Sequence, residues 1–115
     1  MKGGAYEHVY SLLKTRRFSA ALRIMLDPAR GRLRTEFAED SNHAWYDIGD
    51  IHYRQQDIRA ALHAFKRALH HWPNHAEAMM AIGTCYADLR MPRWSAWYLA
   101  KASALRPKDA AIHFN

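Results

Sequence analysis

The stretch NHAWYDIGDIHYRQQDIRAALHAFKRALHHWPNH, residues 42–75, runs without a gap into AEAMMAIGTCYADLRMPRWSAWYLAKASALRPKD, residues 76–109. Laid over each other, the two segments put Ala44 on Ala78, Ile48 on Ile82, Gly49 on Gly83, Arg59 on Arg93, Ala68 on Ala102 and Pro73 on Pro107; Ala76 then meets Ala110. Similar pairs join them, such as Arg67 with Lys101 and Phe65 with Leu99. A fixed period of this length marks a helical-repeat array, in which each unit buries its apolar face only by stacking on a neighbour.

Each copy reads as two helices. Trp45, Ile48, Gly49 and His52 fall at i, i+3, i+4 and i+7, one face of a first helix that Ser41 or Asn42 can cap. A second stripe follows with Ile58, Ala61, Leu62, Phe65, Ala68 and Trp72, and Asp57 is placed to cap it. Pro73 stops that helix because it lacks an N–H and disfavours helix in the residue before it. The second copy repeats the plan with Met79, Ile82, Gly83 and Tyr86, then Pro92, Ala96, Leu99 and Ala102, and closes on Pro107. Pro92 suits a first helical turn. A glycine inside a helix costs about 1 kcal/mol against alanine. The recurrence of Gly49 and Gly83 therefore predicts a close helix crossing, with Ala68 and Ala102 as the small partners opposite.

On these residues the chain resembles the tetratricopeptide repeat (TPR) family, whose signature is a Trp, a Leu-Gly pair, a Tyr, then Ala, Phe, Ala and a closing Pro. The first copy supplies Trp45, Ile48-Gly49, Ala61, Phe65, Ala68 and Pro73, with His52 in the Tyr place. The second supplies Ile82-Gly83, Tyr86, Ala102 and Pro107, with Met79, Ser95 and Leu99 as departures. The resemblance implies an all-α fold: a right-handed superhelix of stacked antiparallel helix pairs, about three in number. It also implies a protein–protein interaction module rather than an enzyme, with the first helix of each pair lining a concave groove.

The expected organisation is a single domain over residues 1–115. Residues 1–41 form a degenerate first pair, since Arg17–Leu22 (RFSAAL) resembles Asp57–Leu62 (DIRAAL) at an offset of 40 rather than 34. This places a first helix over roughly Ala5–Thr15, a second from Ser19, and a further helical piece from Pro28 to about Glu39 that docks Leu33 and Phe37. Residues 42–75 and 76–109 are the regular repeats. Residues 110–115 begin an incomplete helix, read either as a cut through a longer array or as a frayed end. The last regular helix then exposes a flank with Trp94, Trp97, Tyr98 and Leu99, to be covered by a further repeat, a second copy of the chain or another protein.

The predicted groove is acidic and rich in tyrosine. The inner face carries Tyr6, Glu7, Tyr10 and Lys14 in the first pair, then His43, Tyr46, Asp47, Asp50, Tyr53 and Arg54, then Glu77, Met80, Thr84 and Asp88. Its acids outnumber its bases although the whole chain carries a formal charge of +6. Such a surface suits a peptide with Lys or Arg among apolar residues, and tyrosines add contact area at modest entropy cost. A packing role for these tyrosines, with the acids merely solvated, is the competing reading. One TPR variant grips a C-terminal carboxylate with Lys and Asn; the matching places here hold Tyr46, Asp50 and Met80, which do not fit that role.

Other classes find less support. Arg16, Arg17, Arg23, Arg30, Arg32 and Arg34 make the N-terminal third strongly basic, which supports an alternative as a binder of nucleic acid or an acidic protein. Aromatic interleaving there is slight, so nucleic acid is the weaker case. The run His70-His71-Trp72-Pro73-Asn74-His75 is interrupted by proline and reads as solvated turn histidines, not a metal site. Cys85 is the only cysteine, so no internal disulfide or thiolate zinc site forms, and it reads as a core thiol. No phosphate loop, nucleophile elbow or metalloprotease pair is present. No cofactor is expected. No apolar run approaches the roughly 20 residues that span a bilayer, and a reducing cytoplasm is the expected compartment.

Overall fold

The computed structural model describes residues 2–105. Three antiparallel helix pairs follow one another: α1 (Lys2–Lys14) with α2 (Phe18–Met25), α4 (Ser41–Arg54) with α5 (Ile58–His71), and α6 (Ala76–Asp88) with α7 (Pro92–Leu105). Between the first two pairs lie β1 (Leu26–Asp27), β2 (Arg32–Leu33) and the one-turn helix α3 (Thr35–Ala38). Pro107 and residues 110–115 lie outside the described residues.

The turn inside every pair has the same chemistry. Arg16, Gln56 and Arg90 adopt left-handed backbone, with φ of 60°, 68° and 62°. The next residue closes each turn: Arg17 N–H donates to Leu12 O, Asp57 N–H to His52 O and Met91 N–H to Tyr86 O, at 2.8–2.9 Å. This six-to-one bond satisfies a helix-end carbonyl that would otherwise be orphaned. The three residues stand 40 and 34 positions apart, so the backbone repeats the two offsets read in the sequence. Asp57 caps α5, accepting the Ala60 N–H at 3.2 Å.

The core runs continuously through the pairs. Tyr6, Val9, Ala21, Met25, Phe37, Ala44, Trp45, Ile48, Ile51, Ala64, Ala68 and Ala78 form one cluster. Ala61, Phe65, Ile82, Cys85 and Tyr86 form a second, between α5 and α6.

Four expectations change. The close crossing at the glycines is real, but its partners are large. A Cβ on Gly49 would stand 2.6 Å from Cδ1 and Cε1 of Phe65, and one on Gly83 would stand 2.8 Å from Leu99 Cγ. Phe65 and Leu99, not Ala68 and Ala102, lie over the bare backbone. The helix expected from Pro28 is instead a hairpin: Leu26 pairs with Leu33 and Asp27 with Arg32. The Asp27 carboxylate accepts the Ala29 N–H, its carbonyl accepts the Gly31 N–H, and Gly31 takes φ +65°. A tight turn uses Asp and Gly in this way, and only Thr35–Ala38 remains helical. Neither Ser41 nor Asn42 caps α4; both lie within the helix, the Ser41 hydroxyl donating back to the Ala38 carbonyl and Asn42 reaching Ala68 of its own pair and His75 at the entry to the next. Finally, of the α7 flank expected to be exposed, Trp94, Trp97 and Leu99 are exposed, but Tyr98 is half-buried against the α5–α6 cluster.

Candidate functional site

The first helices α1, α4 and α6 are the ones expected to line the groove, and hydroxyl bridges tie them together. Tyr10 of α1 donates to Asp47 Oδ2 at 3.0 Å and lies 3.1 Å from His43 Nε2, both on α4. His43 Nε2 and Asp47 Oδ2 are 3.2 Å apart. One step along, Tyr53 of α4 donates to Asp88 Oδ2 of α6 at 2.5 Å. Each bridge joins one pair to the next, so these tyrosines serve packing as well as surface.

The predicted residues divide by depth. Tyr6 is buried, edge-on to both Phe37 and His43 with centroids 4.9 Å apart in each case, so it belongs to the core rather than to the surface. Tyr46 is half-buried between Phe65 and His75. Met80 is half-buried and accepts the Thr84 hydroxyl at its carbonyl. Tyr10, Arg54, Glu77, Thr84 and Asp88 are exposed. Asp50 holds Arg54 Nε at 3.0 Å. Tyr10, Leu13, Lys14 and Arg54 line a small hollow of about 230 Å³.

Electrostatics hold these hydroxyls protonated. Burial, and then the Asp47 charge, push Tyr10 up to about 12. The hydrogen bond to Asp88 pushes Tyr53 up to about 12. Desolvation raises Tyr46 and the Asp47 carboxyl as well. Cys85 is fully buried and its thiol is pushed up to about 11, which leaves little thiolate for chemistry. Among the described residues no three His, Cys, Asp or Glu gather as a metal site, and no helix is long and apolar enough to cross a membrane. The first helices thus present charged and hydrogen-bonding groups at Asp50, Arg54, Glu77 and Asp88.

The arginines are exposed but dispersed. Arg16 and Arg17 sit at the α1–α2 turn, with the Arg16 guanidinium 5.4 Å from the Phe18 ring centroid. Arg34 Nε donates to the Arg23 carbonyl at 2.9 Å, and Arg30 faces Asp27 at 4.0 Å. Arg30, Arg32 and Arg34 flank a hollow of about 390 Å³, which Asp27 and Glu36 also line.

Sequence reasoning missed the joint between α4 and α6. His75 was expected to be a solvated turn histidine, but it is buried, at 8% exposure. Asn42 Nδ2 donates to His75 Nδ1 at 2.7 Å and to the Ala68 carbonyl at 3.1 Å. The Trp72 ring stacks on the imidazole at 4.9 Å. His70 and His71 are exposed as expected. The lone signal was the placement of Asn42 and His75 nearly one period apart, each at the entry to a first helix.

This joint gives a pH prediction. Desolvation lowers the His75 pKa from its ordinary 6.5, against the opposing pull of Glu77, and His52 is lowered by burial too. A lowered folded-state value means stability is complete above about 6.5 and is lost as the pH falls below it. Protonated Nδ1 would face the Asn42 amide donor, and turning that amide over sacrifices its bond to Ala68. Melting temperature is therefore expected to fall between roughly pH 6.5 and 5, and less steeply in His75→Gln. Asp47, raised by burial, works the other way at lower pH, so the difference between wild type and variant is the quantity to read.

The paired helices and their repeated turns define a solenoid of helical hairpins. Residues 46–90 match the family model described as tetratricopeptide repeat. The fold of the chain is similar to the crystal structure of MamA, with a TM-score of 0.77 at 18% identity over 96% of this chain. The chain spans 61% of the length of that protein. No curated protein matches the sequence.

Proposed function

We propose that the chain is a protein-binding adaptor or assembly subunit whose concave face, made by α1, α4 and α6, takes a peptide carrying Lys or Arg among apolar residues. Tetratricopeptide repeats generally mediate protein–protein interaction or scaffolding. The observation that carries the finer reading is the separation of charge between the two helices of each pair. The first helices hold Glu7, Asp47, Asp50, Glu77 and Asp88, whereas α2, α5 and α7 hold no acid at all. Acids outnumber bases on α4 and α6, though not on α1, so a peptide approaching these two helices meets a negative field, which favours basic partners and speeds their encounter. A single buried thiol fits a reducing compartment such as the cytoplasm.

The test reverses the more exposed acids of the inner face. Asp47 is mostly covered and holds Tyr10, so Asp50 and Glu77, with side chains 43% and 50% exposed, are the better pair. Short peptides alternating Lys or Arg with Leu or Phe are expected to bind the wild type by fluorescence anisotropy. Asp50→Lys with Glu77→Lys should weaken them by about tenfold or more, with unchanged circular dichroism. Equal binding by the two proteins would refute the groove. The alternative, an anionic partner held by the arginines, rests on the convergence of Arg30, Arg32 and Arg34 on one hollow. It predicts duplex binding at low salt that collapses as salt is added.

A further inference from the structure

Trp94 and Trp97 are 50% and 49% exposed, and their place in the repeat shows which surface they belong to. The α5 residues packed with α6 include Ile58, Ala61, Leu62, Phe65 and Leu69, and Lys66 reaches Tyr86. One period on, these become Pro92, Ser95, Ala96, Leu99, Ser103 and Ala100 of α7. A further helix pair stacked as α6 stacks on α5 would thus cover Leu99 and Ala96. Trp94 and Trp97 correspond instead to Ala60 and His63, which lie outside that cluster. A following repeat would leave both indoles uncovered. They are part of the outer face, not of the end of the array.

The indoles are held, not loose. The Lys66 ammonium of α5 donates to the Tyr86 hydroxyl at 2.6 Å. The Tyr86 ring stacks with Trp94 and with Tyr98, at 6.1 and 5.7 Å. Trp97 stands edge-on to both Trp94 and Tyr98, and Lys101 Nζ lies 4.7 Å from the Trp97 centroid. Met91, Pro92, Arg93, Trp94 and Trp97 line an open hollow of about 660 Å³. The surroundings carry one sign of charge: α5 and α7 supply Arg59, Lys66, Arg67, Arg93 and Lys101, with no Asp or Glu.

We propose that this outer face of α5 and α7 is a second docking surface, for an acidic protein segment that seats an apolar side chain in the Trp94–Trp97 hollow. Exposed indoles beside a basic rim have the composition of a binding hot spot, and the one-signed charge selects acids. The acidic face of a second copy is also complementary in charge, and self-association is therefore one of the outcomes that the test distinguishes. A membrane would meet rings that stand proud of the surface, whereas these line a depression.

The proposal is tested with a displayed pool of short random peptides in which Asp or Glu alternates with apolar residues, and a matched pool with Lys or Arg in the acidic places. The acidic pool is expected to enrich on the protein. The enriched peptides should bind Trp97→Ala, and separately Arg93→Glu with Lys101→Glu, about tenfold or more weakly than wild type. They should bind the Asp50→Lys/Glu77→Lys groove variant as well as wild type, which separates this surface from the groove. All substituted side chains are exposed or half-exposed, and circular dichroism checks that the variants fold. Enrichment of the basic pool, enrichment of neither, or binding indifferent to both outer-face variants would overturn the proposal. So would Trp97-dependent co-sedimentation with phosphatidylserine vesicles, or Trp97-dependent self-association in sedimentation velocity, where the acidic peptides fail to bind.

Discussion

Phe37→Ala is expected to cost about 3–5 kcal/mol of unfolding free energy, a large share of what a domain of this size has to lose. Residues 26–40 interrupt the period, and Phe37 is the single side chain they bury fully, at 1% exposure. Its ring meets Tyr6 edge-on with centroids 4.9 Å apart, and Tyr6 in turn packs on His43. The residue therefore plugs the junction where the inserted hairpin crosses between the first pair and α4. Truncation leaves a cavity that the rigid helices on either side cannot close, so the transfer and cavity terms add. Leu33→Ala should cost much less, because Leu33 is only half-buried. Urea titration of the three proteins decides the matter: a loss below about 1 kcal/mol for Phe37→Ala would mean the insertion is a passenger loop rather than part of the core. Loss of order at Tyr6 should also release Tyr10 from Asp47, so the tyrosine absorbance titration, normally displaced to about 12 for Tyr10, should begin earlier in the variant.

The regular repeats were legible because their information is redundant. Ile48 and Ile82, Gly49 and Gly83, and Asp57 as a cap each repeat a helix rule in a second place, or agree with one. The insertion had no second copy to check against. Leu33 and Phe37 are four apart, which mimics a helical stripe, and Asp27-Pro28 mimics a helix start. The deciding fact was Gly31 in left-handed backbone, and turn chemistry at Asp27 and Gly31 outweighed the apolar spacing. His75 was misplaced for a different reason. A histidine in a polar run reads as solvated unless its partners are known, and Asn42 and Trp72 reach it only through tertiary packing. The inner-face residues were expected from helical periodicity together with the family resemblance. Periodicity gives their direction but not their depth: Tyr6 and Tyr10 share a face, yet one is core and the other is 40% exposed. The indoles of α7 were read as part of the end of the array; their pairing with Ala60 and His63 one period back is what the proposed outer surface rests on.

Gly49→Ala and Gly83→Ala should separate in stability even though the two glycines hold the same place in the repeat. A methyl on Gly49 would meet the Phe65 ring at 2.6 Å. That ring is 4% exposed, flat and enclosed by Tyr46 and the α5–α6 core, so it cannot turn aside without displacing its neighbours. Overpacking of this kind costs about 1–3 kcal/mol, from which roughly 1 kcal/mol of improved helix propensity is recovered. The expected net loss is up to about 2 kcal/mol, toward the upper end because the ring cannot move. A methyl on Gly83 meets Leu99 Cγ at 2.8 Å and the Ser95 carbonyl oxygen at 3.3 Å. Leu99 is 42% exposed and has solvent on its far side, so it can swing outward, and the gain in propensity offsets the remaining crowding. Gly83→Ala is expected within about 0.5 kcal/mol of wild type. The proof of mechanism is a double-mutant cycle. Phe65→Leu alone removes buried ring surface and destabilises, but it also removes the atoms that oppose the new methyl. Gly49→Ala combined with Phe65→Leu should therefore cost less than the sum of the single changes by more than about 0.5 kcal/mol, the level at which contacting residues are distinguished from independent ones. Strict additivity would show that the glycine is required by something other than the ring above it, and equal losses at Gly49 and Gly83 would show that the exposure of Leu99 gives no relief.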